Sequence, residues 1–105
     1  MPWYFYLLEF VSGLFLVNGV PHFVHGVSGH RFQSPFANPP GVGESSPLVN
    51  TFWGYANMAI GATLLYYFWP RGDGAILGWI LFGLGALVMA VMLSTHFGKI
   101  RSHIP

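Results

Sequence analysis

Cysteine is absent from this chain and charge nearly so, with four Lys plus Arg and three Asp plus Glu among 105 residues. The first absence excludes disulfides, thiolate metal sites and a cysteine nucleophile. The second excludes an ordinary soluble domain, where about a quarter of residues are charged. A net charge of +1 offers no basic surface, so a nucleic-acid partner has no electrostatic footing. Gly41-Val42-Gly43 lacks a following lysine and is no phosphate loop. No Ser or Thr stands beside a His and an acid in a recognisable triad context. These gaps favour a protein without catalysis of its own. The first apolar stretch has no Lys or Arg before it and carries Glu9 within it, so it is read as retained rather than as a signal peptide.

What is present is apolar: 53% of residues are hydrophobic and 18% aromatic. Three runs, 3–20, 47–69 and 75–97, each approach the ~20 residues that carry a helix across ~30 Å of hydrocarbon. The expected fold is an all-α integral membrane protein, one domain over 1–105 with three transmembrane helices. Pro21 either ends the first helix near 20 or kinks it and lets it run to 28. A long Pro/Gly-rich loop, 29–46, joins helices 1 and 2, and Phe32 and Phe36 within it predict an ordered cap over the helix ends. Ser46 and Pro47 read as N-cap and first helical residue of the second helix. The tight turn at 70–74 predicts that the second and third helices are antiparallel neighbours. Asp73 is expected to cap the third helix and Gly98-Lys99 to close it.

Three crossings gather all five histidines, His22, His25, His30, His96 and His103, at one membrane face. Arg31, Lys99 and Arg101 lie on that side and only Arg71 on the other. The positive-inside rule then places the N-terminus outside and the C-terminus in the cytoplasm, in a plasma or inner membrane.

Small residues mark helix packing, because in lipid close backbone approach replaces the hydrophobic drive. Gly74, Gly78, Ala86 and Ala90 form such a stripe on the third helix, and Gly54, Asn57 and Gly61 on the second. Turned outward, these stripes would dock other membrane subunits or a second copy of the chain. The expected function is therefore contact, as an accessory or assembly subunit of a larger membrane complex or as a homo-oligomer.

Two further readings rest on single features. Neutral imidazole is the commonest metal ligand and also holds haem iron. His22 or His25 with His96 would suit haem b, and the stripe Met89, Met92, His96 adds a thioether at Met92 for copper. Such a protein would transfer electrons. Glu9 is the single acid inside a span and so marks a small oligomeric transporter or channel. Arg71, Tyr66 or Thr63 is its expected partner.

Overall fold

In a computed structural model, residues 1–102 are described. Helix α1 spans Trp3–Val27, α2 Pro47–Tyr67 and α3 Ala75–Arg101. Between α1 and α2, strands β1 (Phe32–Gln33) and β2 (Glu44–Ser45) pair antiparallel, with Phe32 opposite Ser45. A single 3-10 turn, Gly72–Gly74, precedes α3. At 1.5 Å per residue the three helices measure ~37, ~31 and ~40 Å. The chain is mostly helical, and α1 and the segment Gly72–Arg101 are long and apolar enough to cross a membrane.

Local chemistry accounts for the helix boundaries. Ser46 Oγ accepts the Val49 N–H at 3.2 Å, and Pro47 follows where a missing N–H costs nothing. α1 runs through Pro21 without a break, and the His25 ring donates from Nδ1 to the Pro21 carbonyl at 2.8 Å. Two expectations at α3 are corrected. Asp73 does not cap it, because the residue before Ala75 is Gly74 and no side chain caps there. Gly98 does not close it either. The helix continues to Arg101, and Lys99 and Arg101 lie in its last turn, where cations meet the carbonyl end of the dipole.

The larger correction concerns neighbours. α2 and α3 are not packed on each other; α1 lies between them and touches both along its length. Gly26 meets Thr51 and Pro47, Gly19 meets Gly54, and Ser12 and Leu16 meet Gly61, so α2 runs antiparallel to α1. Glu9 meets Gly78, Phe10 meets Gly85, and Gly13 meets Phe82 and Ala86, so α3 runs parallel to it. At 100° per residue these two stripes sit about a third of a turn apart on α1. The connection from α2 to α3 steps around the start of α1. Phe68 packs edge-on against Phe5 at 5.1 Å, and the Arg71 N–H reaches Met1 Sδ at 3.4 Å.

The small-residue stripes therefore face mostly inward, with Ala90 alone among their members exposed. A Cβ on Gly85 would overlap the Phe10 carbonyl, one on Gly13 would lie 2.8 Å from Ala86 N, and one on Gly61 2.8 Å from Leu16 N. Backbone lies against backbone at these points, and no side chain fits. Polarity is inverted to match. Phe32 is the one large apolar side chain buried among the described residues, whereas Glu9, Ser12, His22, Gln33, Ser34, Asn50 and Asn57 are buried. Leu7, Phe52, Ile76, Ile80, Leu87 and Val91 instead face out.

Candidate functional site

The β1–β2 hairpin closes one end of the bundle, and polar groups from all three helices hold it there. Asn50, in the first turns of α2, is the centre. Its two amide N–H groups are shared among the carbonyls of Phe32, Ser45 and Ser46, at 3.0, 3.2 and 3.1 Å from the nitrogen. Its carbonyl oxygen then faces His22 Nδ1 at 2.9 Å. Turning the amide over would set its oxygen against three carbonyls, so the orientation is fixed, and Nδ1 of His22 must carry the proton. On α3, His96 Nε2 donates to the Gly41 carbonyl at 2.8 Å, and Arg101 Nη2 donates to Gln33 Oε1 at 3.2 Å. Phe32 fills the middle, stacked on His25 at 4.2 Å, in contact with Phe97 at 4.7 Å, with the Arg101 guanidinium over its face at 4.9 Å. The ordered cap expected from Phe32 is present, and Phe32 is its core.

Beneath this cap lies a cavity of about 180 Å³. His22 and Asn18 line it from α1, Trp53 from α2, Leu93, His96 and Phe97 from α3, and Gln33 and Ser34 from the hairpin. His22, Gln33 and Ser34 are almost fully buried. Asn18 Nδ2 donates to Asn57 Oδ1 at 2.9 Å, and Asn57 Nδ2 donates to the Trp53 carbonyl at 2.8 Å. The Trp53 indole N–H is buried without a hydrogen-bond partner.

Of the histidines singled out in the sequence, His22 and His96 share this cavity. His25 does not line it: its ring lies on Phe32 and its Nδ1 serves Pro21. His30 is exposed, and His103 lies outside the described residues. Met92 is 57% exposed and is not among the cavity's lining residues. Among the described residues, no group of three or more His, Asp or Glu is gathered closely enough to hold a metal ion.

Glu9 occupies a second, separate niche toward the other end of α1. Its carboxylate is fully buried and neither oxygen has a partner. Gly78 and Pro70 close over it; a Cβ on Gly78 would lie 2.6 Å from Glu9 Oε1. The partners expected for it are engaged elsewhere or turned away. Arg71 donates to the carbonyls of Trp69 and Tyr67 and lies over Phe5, and Tyr66 and Thr63 are exposed.

The sequence reading did not single out Asn50, Gln33 or Ser34, and it used Arg101 only as an orientation charge. One signal was available. A carboxamide one turn into an apolar helix must find partners, and the nearest unpaired carbonyls belong to the loop that enters that helix. Comparison with protein-family models, with curated proteins and with solved structures finds no match to this chain.

Proposed function

We propose that the chain is an integral membrane protein of three crossings that performs no chemistry of its own and acts by contact, as an accessory subunit of a larger membrane complex or as a homo-oligomer. The observation that carries this reading is the inverted polarity of the fold. Apart from Phe32 in the cap, the large buried side chains are polar, and all of these but Glu9 are hydrogen-bonded, while large apolar side chains cover the outside. Lipid tolerates that distribution and water does not. Because α2 lies antiparallel along α1 from Gly26 to Ser12, a bilayer crossed by α1 is crossed by α2 as well. With small residues engaged inside the chain, the contact surfaces are the apolar outer face of α3 and the exposed side of α2. Arg31, Lys99 and Arg101 lie at the capped end and Arg71 at the other, which favours a cytoplasmic cap and an outside N-terminus.

The natural absence of cysteine makes the test direct. Single cysteines at His30, Asp73 and Ser102 should label from one side for His30 and Ser102 and from the other for Asp73. Labelling of His30 and Ser102 from opposite sides overturns the three crossings. Native mass spectrometry from nanodiscs formed directly from membranes should then show the chain with a second membrane subunit or a second copy. A solitary monomer overturns action by contact.

One observation favours a second reading, a haem- or copper-binding electron carrier: His22 and His96 line one cavity. Its 180 Å³ lies below the ~300–1,000 Å³ of ordinary ligand sites, and Nε2 of His96 is already committed to the Gly41 carbonyl. A Soret band or stoichiometric copper lost in His96→Ala would raise this reading above the first.

A further inference from the structure

Glu9 is fully covered by the chain's own atoms, and neither of its oxygens has a hydrogen bond. Buried polar groups are nearly always paired, and an unpaired carboxylate ion is among the costliest groups to bury. A neutral carboxyl avoids that cost. The cover over it is small: Gly78 at the start of α3 and Pro70 in the connection before it.

A counter-charge stands nearby, engaged only within its own turn. Arg71 follows Pro70 directly, and its guanidinium lies over the Phe5 ring at 5.8 Å. Phe5 precedes Glu9 by four residues, so the two share a face of α1 about 6 Å apart along its axis. The Arg71 hydrogen bonds go to the Trp69 and Tyr67 carbonyls at 3.0 and 3.5 Å, on the exposed side. Next in the connection, Gly72 has φ +72° with open space around it, a position where the backbone can pivot.

Few other groups compete for Glu9. The amino group of Met1 is the second cation facing it. The Tyr6 hydroxyl lies against Gly74, and Asp73, Tyr66 and Tyr67 are exposed. α3 carries no titratable side chain before His96, at its far end.

We propose that Glu9 is a proton-binding site that latches the start of α3 onto α1. With the proton bound, Gly78 and Pro70 close over a neutral carboxyl. When the proton passes to water at the Arg71 face, the carboxylate draws Arg71 off Phe5 into an ion pair. Pro70, joined to Arg71, is carried off the niche, and the entry of α3 swings away from α1. The latch is closed at neutral pH and opens as pH rises. This goes beyond action by contact and does not depend on it.

Infrared spectroscopy of the full chain in dodecyl maltoside, which has no ester carbonyl, tests the site. A protonated-carboxyl C=O band is expected at neutral pH, lost as pH rises and absent in Glu9→Gln. Arg71→Ala removes the counter-charge and should move the midpoint of that loss up by about one pH unit. Nitroxides on Leu7→Cys and Ile76→Cys, positions 54% and 78% exposed, read the latch by electron–electron double resonance. One distance is expected at neutral pH, with a longer one growing in as the band is lost. The Glu9→Gln background should keep the first distance throughout. A spectrum without a Glu9-dependent band overturns the proposal. So does an unmoved midpoint in Arg71→Ala, or a distance change that is absent or persists in Glu9→Gln. The cysteine labelling and native mass spectrometry above read crossings and contact separately, so failure of either is distinguishable from failure of the latch.

Discussion

α1 buries a titratable side chain near each end, and the two ends treat it in opposite ways. Glu9 and His22 lie about 20 Å apart along one helix. At the His22 end, the Asn50 oxygen takes the ring N–H, the Phe32 ring packs edge-on against the imidazole, and Asn50 is itself held by the hairpin carbonyls. At the Glu9 end, Gly78 and Pro70 close over a carboxyl with no hydrogen bond. The contrast separates two meanings of a buried polar residue. His22 is part of a network that ties a loop to three helices. Glu9 is a cost that helix packing overrides, because Gly13 and Gly85 bring α1 and α3 into backbone contact whatever Glu9 prefers.

Several substitutions would break or sharpen that comparison. The largest effect is expected from Gly85→Leu, which forces a side chain into the Phe10 carbonyl and should cost on the order of 3 kcal/mol or more. Its control is Gly83→Leu, which meets nothing within 4 Å and should melt like the parent. If both behave alike, α3 does not dock through its glycines. Asn50→Leu comes next. It takes the side-chain donor from the Phe32 and Ser45 carbonyls and strands the His22 N–H, while the Ser46 carbonyl keeps the backbone N–H of residue 50, and should cost about 2–4 kcal/mol, with trypsin cutting at Arg31 as the readout of cap release. His22→Leu removes one bond of that network and strands the Asn50 oxygen, for about 1–3 kcal/mol in thermal melts.

At the other end the sign should reverse. Glu9→Met replaces an unpartnered carboxyl with an apolar side chain of similar length and should raise stability by about 1 kcal/mol. A loss of stability there would mean that Glu9 has a partner, and the contrast between the ends would collapse. The smallest effect is expected from Arg71→Ala. Its guanidinium is exposed, bonds carbonyls of its own turn and lies 5.8 Å over the Phe5 ring, so stability should change by no more than ~1 kcal/mol.

Amino-acid order by itself determined three helices, because runs of apolar residues and their bounding Ser46-Pro47 act within a few residues of themselves. It also determined that the 29–46 segment is ordered, through Phe32. It did not determine which helix stands in the middle. Tight turns usually join neighbours, and only the match of Gly13, Gly19 and Gly26 on α1 to glycines and small residues of both other helices puts α1 between them. The site divides the same way. His22 and His96 were legible as candidates, but their sharing of one cavity, with His25 excluded from it, depends on how far α1 and α3 are rotated. That rotation is set by backbone contacts made 60 or more residues apart along the chain, and such contacts leave no periodic trace in either helix alone.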